Sequence, residues 1–311
     1  MPGGAAPAFL GPAEFVRSVD LRRLQWSAEN SRDYTRWLAT HHYENFHVVS
    51  FLLPKRLHQD FYNIYAYCRW ADDLADEIGD RAESLRLLVW WRTELDAMYL
   101  GRATHPVFVA LEPTVRRYRI PPDPFRDLIA AFVQDQTVTR YPDWESVFAY
   151  CRCSANPVGR LVLYLCGYDD PARQSLSDAT CTALQLANFW QDITVDARKD
   201  RVYLPLDLLA HHGYTVDDLF ARRYNPAFRN LMREAVDQAR RLFLEGLPLV
   251  GRVNRRLALD LDLFSRGGLR VLEKIEQRNY DVLSARPAVS KIDRVRLLLA
   301  SLARAAFSRA A

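Results

Sequence analysis

The sequence predicts an all-α protein, a single-domain helical bundle, and three observations carry that expectation; a central cavity within it is what the acidic motifs described below imply. Only 12 of 311 residues are glycine, about 4% against a usual ~7%, which leaves few of the tight turns that a many-stranded chain needs. Apolar residues recur at helical spacing over long segments, and no strict alternation runs far enough to make a sheet. Half of the chain is apolar, 49% by count, enough for a deep core. The first 12 residues, rich in Gly, Ala and Pro, read as a loose tail, and residues 13–311 as one domain, because no Gly/Ser linker or low-complexity tract divides them.

The helices run in order, each set off by a breaker. Ser31 to Val49 ends ahead of Pro54, Lys55 to Ile78 stops at Gly79, and Ala82 to Tyr99 ends ahead of Pro106. Pro124 to Val138 starts behind the Pro121-Pro122 pair, Trp144 to Ser154 behind Pro142, and Pro157 to Cys166 halts at Gly167. Ser175 to Ala197 precedes Pro205 and Gly213, Pro226 to Leu247 meets Pro248, Asn254 to Leu283 meets Pro287, and Lys291 to Phe307 closes the series.

Composition excludes several classes. No apolar run approaches the ~18 residues of a membrane-crossing helix, and Met1 to Leu10 lacks the basic start of a secretory signal. Five cysteines form no CxxC pair, their number is odd, and no histidine cluster lies at zinc-ligand spacing, so a reduced cytoplasm is the expected setting. A net charge of +4 is too weak to argue for a nucleic-acid partner. Arginine outnumbers lysine 38 to 4, an excess that suits either bidentate phosphate contacts or ordinary surface chemistry.

Two acidic motifs stand out. Asp72 to Asp76 follows Trp70-Ala71, and Asp192 to Asp196 follows Asn188-Phe189-Trp190-Gln191; both contain DxxxD. On a helix, positions i and i+4 share a face about 6 Å apart, so each pair can offer two carboxylates to one side, and two such helices facing each other would present four. Spacing alone is poor evidence, since about five acid pairs at this distance are expected by chance from 38 acids in 311 residues. The setting is more telling: the flanking helices look apolar nearly all round, and carboxylates there require cations. Mg²⁺, which bridges carboxylates to phosphates, is one solution, with a diphosphate as its other partner; buried Asp–Arg pairs are the other. Arg69, Lys199 and Arg201 lie close by in sequence, and Tyr65, Tyr150, Phe46 and Phe189 could line a pocket for a carbocation without attacking it.

Around these residues the chain resembles the squalene/phytoene synthase family of class I isoprenoid synthases. The resemblance rests on Tyr65-Ala66-Tyr67-Cys68-Arg69 leading into Asp72, on Tyr150-Cys151-Arg152 with Asn156-Pro157-Val158-Gly159, on Gln185-Leu186-Ala187-Asn188 leading into Asp192, and on Arg201-Val202-Tyr203-Leu204-Pro205, spread over about residues 40 to 285. It implies metal-binding acids at Asp72, Asp76, Asp192 and Asp196, with two or three Mg²⁺ ions. It also implies catalytic roles for Tyr65, Tyr150 and Arg201, and substrate contacts from Phe46, Arg69, Gln185, Asn188, Lys199, Arg201 and Tyr203. Two departures stand out: Tyr43-Glu44-Asn45-Phe46 places an acid where the family often has a basic residue, and Gln191 stands where squalene synthases usually have Arg. With Leu52-Leu53-Pro54 and Ser154 to Arg160, this pattern is similar to the hydroxysqualene synthase branch. That likeness implies presqualene diphosphate as substrate, diphosphate and hydroxysqualene as products, and no nicotinamide cofactor. The alternatives are head-to-head condensation of two prenyl diphosphates and a non-catalytic helical assembly factor. The segment from Lys291 to Arg309 mixes Leu and Arg; packing is its expected role, with peripheral contact at the inner face of the membrane as the alternative.

Overall fold

A computed structural model of the chain describes residues 9–18, 24–41, 54–290, 293 and 296–301. Among them are thirteen α-helices, two 3₁₀ helices (Lys55–Leu57 and Leu247–Arg252) and no strand, only an isolated bridge between Arg140 and Val202. The helices are α1 (Pro12–Arg17), α2 (Ala28–His41), α3 (His58–Asp76), α4 (Arg81–Tyr99), α5 (Pro106–Tyr118), α6 (Asp123–Asp135), α7 (Trp144–Ser154), α8 (Asn156–Leu165), α9 (Pro171–Arg198), α10 (Leu206–His211), α11 (Val216–Phe220), α12 (Pro226–Gly246) and α13 (Arg255–Gln277). The all-α expectation holds. Contacts gather the chain into two compact units, Met1–Thr137 with Leu161–Tyr168, and Val138–Arg160 with Asp169–Ala311.

In the first unit α3 is central and touches α1, α2, α4, α5 and α6. One of its faces is tied down by polar groups: Asn63 Nδ2 donates to the carbonyl of Ala110 (2.8 Å), Tyr67 Oη to that of Phe125 (2.7 Å), and Trp70 Nε1 to Tyr34 Oη (3.1 Å). Buried donors of this kind must find partners, and here the partners set the rotation of α3 about its axis. Trp70 stacks on Trp91 with centroids 5.0 Å apart and 9° between planes, and His105 meets Trp70 edge-on at 4.4 Å. Burial pushes the His105 imidazole down to about 3, so it is neutral; its Nδ1 accepts from Val107 N at the start of α5. Helix α5 is absent from the sequence-based expectation, in which Pro106 is a break. Proline suits a first helical position, where the missing N–H would be unpaired anyway, and Pro106 starts the helix instead.

In the second unit α9, 28 residues long, packs along α12, with α7 and α13 also against it. The approach of α12 is close enough that a Cβ on Gly246 would lie 2.1 Å from Thr180 Oγ1 and 2.9 Å from the Leu176 carbonyl oxygen. Gly159 plays the same part for α8, where a Cβ would meet Ser177 Oγ at 2.4 Å and Cys181 Sγ at 2.5 Å. Trp190 Nε1 donates to the Ala235 carbonyl (3.0 Å), fixing the rotation of α9. On α13, Asp260 is buried with neither carboxyl oxygen hydrogen-bonded among the described residues, and burial pushes it up to about 7. Several helix starts carry a side-chain cap: Asp80, Asp143, Asp170, Asn225 and Asn254 each accept a backbone N–H of the first turn.

Candidate active site

The first acidic motif occupies the face of α3 opposite its anchored side. Tyr65, Arg69, Asp72 and Asp76 succeed one another in steps of four, three and four, which keeps them on one stripe. Arg69 Nη1 lies 3.6 Å from Asp72 Oδ2, and Arg69 Nη2 lies 2.6 Å from Asp73 Oδ1. The expectation of carboxylates enclosed by apolar surface needs correcting here. Asp76, the last residue of α3, is exposed, and the Asp72 side chain is 47% exposed. The enclosed acid is Asp73, which burial pushes up to about 6 against the pull of Arg69. Tyr65 is half-buried, and its hydroxyl is raised above the usual tyrosine value, chiefly by burial.

The second motif lies at the C-terminal end of α9. Gln185, Asn188, Asp192 and Asp196 share a stripe in steps of three, four and four; Asn188 is exposed and Gln185 half-buried. Asp192 carries a two-pronged ion pair with Arg286, Nε on Oδ1 and Nη2 on Oδ2, the latter at 3.0 Å. Gln191 Nε2 donates to the carbonyl of Pro287, pinning the segment that delivers this guanidinium. Asp196 is pushed up to about 6, first by burial and then by the charge of Asp192, with Arg201, Lys199 and Arg286 pulling the other way.

Beyond α9 the chain turns through Asp200, at φ 56°, held by Arg140, whose Nη2 reaches Asp200 Oδ1 at 2.5 Å. The backbone N–H groups of Lys199 and Arg201 both donate to the Asp196 carbonyl, and Val202 N donates to that of Thr139 (2.9 Å). This turn brings Arg201 and Tyr203 beside Asp196: with Phe189, Trp190, Ile193, Val202, Leu204 and Leu219 they line a cavity of about 10 Å³, room for one water. Tyr203 stacks on Phe189 at 3.7 Å and 4°, and Tyr150 completes the cluster at 5.8 Å from Tyr203. Tyr150, Tyr203, Arg201, Asp196 and Asp192 are therefore gathered within the second unit, with Lys199 exposed on the same turn. Phe46 lies outside the described residues.

Sequence reasoning missed Asp73 and Arg286. The first could have been found from its place four residues after Arg69. The second has no local signal: it is one of 38 arginines, 94 residues from its partner. The donor set fits a hard divalent cation, since it is all carboxylate oxygen at i,i+4 spacing.

The squalene/phytoene synthase family matches residues 39–293. Among curated proteins, hydroxysqualene synthase of Rhodopseudomonas palustris is 35% identical over 82% of this chain and 86% of its own length. Phytoene synthase of Thermus thermophilus is 32% identical over 83% and 87%. Among solved structures, squalene synthase HpnC from Alicyclobacillus acidocaldarius is 43% identical, with a TM-score of 0.78 over 82% of this chain and 96% of that one. A dehydrosqualene synthase, at 22% identity and a TM-score of 0.79 over 89% and 97%, shows the same fold. With two aspartate stripes, their arginines and the aromatic cluster falling on the matched span, the chain belongs to the squalene/phytoene synthase family.

Proposed function

We propose that this protein is an enzyme that ionises presqualene diphosphate and captures the rearranged cation with water, giving hydroxysqualene and diphosphate. The observation that carries a diphosphate site is the kind of ion pair each acidic stripe makes. Arg69–Asp72 and Arg286–Asp192 each have one half-exposed member, Asp72 at 47% and Arg286 at 53%, while Arg69 also pairs with the buried Asp73 at 2.6 Å. The solvent-open members, Asp72 and Arg286, suit a site whose charges re-pair with a bound ligand.

Asp72 and Asp76, and Asp192 and Asp196, would hold Mg²⁺, two or three ions in all. Bound there, Mg²⁺ supplies positive charge to the departing diphosphate. The chain's own cations act on the same group: Arg69 from α3, and Arg201, Lys199 and Arg286 around the end of α9, stabilise the charge that builds as the carbon–oxygen bond breaks and its electron pair leaves with diphosphate. Tyr150, Phe189 and Tyr203 offer aromatic faces that stabilise a cation without reacting; Tyr65, Gln185, Asn188 and Phe46 complete the proposed substrate contacts. Water adds its oxygen to the carbocation and gives up a proton, so no nicotinamide is required. Residues 13–311 act as one functional domain in this reading. No described helix is long and apolar enough to cross a membrane, and a thirty-carbon substrate makes contact with a membrane surface part of the proposal, in a cytoplasmic setting.

The similarity to hydroxysqualene synthase supports the water-capturing branch. The similarity to phytoene synthases supports a second reading, head-to-head condensation of two prenyl diphosphates. Purified protein incubated with Mg²⁺ and presqualene diphosphate should yield hydroxysqualene by gas chromatography and mass spectrometry. Release of diphosphate from farnesyl diphosphate alone, with a coupled hydrocarbon product, would replace the first reading with the second.

A further inference from the structure

The second unit carries a cluster that the aspartate motifs do not use. His211 ends α10, His212 is its C-cap, and Gly213 turns the chain away at φ 65°. The two imidazoles stand almost perpendicular, 83° apart with centroids at 5.0 Å. Glu234, on α12, points its Oε2 at His212 Nε2 from 2.9 Å. One ligand atom each from His211, His212 and Glu234 lies within 4.8 Å of the other two.

We propose that these three side chains form a binding site for a divalent transition-metal ion of the zinc class. Two imidazole nitrogens and one carboxylate oxygen suit Zn²⁺, with a fourth position left for water. Bonds of about 2.0–2.2 Å in a tetrahedron place ligand atoms about 3.3 Å apart, so the widest corner of the triangle closes by at most about 1.5 Å. His211 and Glu234 are exposed and free to make that movement by side-chain rotation. The His212–Glu234 pair alone does not call for His211, whose place beside both is what defines a triad. Mg²⁺, which takes oxygen ligands and keeps its waters, is a poor fit here, so the site separates by chemistry from the carboxylate stripes. An ion here staples the end of α10 to α12. Leu206 comes directly after the Arg201–Pro205 turn, and Glu234 precedes Ala235, the acceptor for Trp190. The staple therefore braces the segment that carries Arg201 and Tyr203.

Full-length protein freed of metal is titrated with Zn²⁺ by calorimetry in excess Mg²⁺, which occupies carboxylate sites. The expected result is one equivalent bound, with affinity weakened about tenfold or more in His211→Ala and again in Glu234→Gln. Far-UV circular dichroism should be unchanged in both, since the substituted residues are exposed. Co²⁺ in place of Zn²⁺ should give visible absorption that both variants lose. No Zn²⁺ binding under these conditions, or wild-type affinity in either variant, overturns the proposal. The readout does not involve turnover, so it is independent of the proposed activity.

Discussion

At the residue scale, Arg286 shows how a charge can matter to a site without mattering to the fold. Its guanidinium is 53% exposed although Asp192 is only 15% exposed, so Arg286→Gln, which keeps a hydrogen-bond donor for Asp192, should cost no more than about 1 kcal/mol of thermal stability. Diphosphate release should fall by about 10²-fold, the usual loss when one electrostatic stabiliser of a leaving group is removed; steady-state kinetics beside a melting curve separates the two effects. Asp72→Asn should abolish turnover, and residual Mg²⁺-dependent activity at wild-type level would remove Asp72 from the site. Asp260 is the opposite case, a buried carboxyl with no hydrogen-bond partner among the described residues. Its folded pKa, about 7, stands above the ordinary 3.8. The stability of the neutral form is thus fully present below pH 4 and lost as pH rises through 7. Asp260→Asn mimics the neutral acid and should stabilise the protein by about 2–4 kcal/mol at pH 8. The gain should vanish near pH 4, as urea unfolding at the two pH values would show.

At the element scale, tight helix packing explains residues that look unremarkable in the sequence. Gly246→Ala forces a methyl against the Leu176 carbonyl and the backbone nitrogen of Thr180, each 2.9 Å from where it would lie. Backbone cannot rotate away as a side chain can, so the expected cost is about 1–3 kcal/mol, read as a lowered urea midpoint with unchanged slope. Gly159 is milder, since Ser177 and Cys181 meet it with side-chain atoms. Legibility at this scale depended on whether the deciding interaction was local. Helix α7 was legible from end to end, Trp144 to Ser154, because its apolar spacing and its Asp143 cap lie within the helix and its edge. Helix α5 was not, because Pro106 starts a helix as readily as it stops one, and His105 became a cap only when buried among tryptophans. The stripes of α3 and α9 were legible as periodicity. Which of their acids are enclosed was not, since Tyr67, Trp70 and Trp190 set the rotation through carbonyl and hydroxyl partners 36 to 58 residues away.

At the scale of the whole molecule, composition foretold the helical class and left the chemistry open. Half the residues are apolar in any large core, and Asp72 and Asp192, read in place, are what raise the proposal of a container over that of a filled core. If the aspartate stripes hold Mg²⁺, chelation should abolish turnover while far-UV circular dichroism persists, and added Mg²⁺ should restore it. Retained activity in excess chelator would remove the metal from the proposed reaction.

Helix α8 has a consequence for biosynthesis. Its first half, to Arg160, belongs with the second unit, and its second half, from Leu161, with the first. The first unit is therefore not a continuous stretch of chain: the buried Leu161, Leu163 and Leu165 belong to it, and they are made after residues 138–160. At ~5–20 residues per second, roughly 2–6 s separate Thr137 from Tyr168 on the ribosome. Through that interval the nascent first unit lacks Leu161, Leu163 and Leu165, three residues buried in the finished protein.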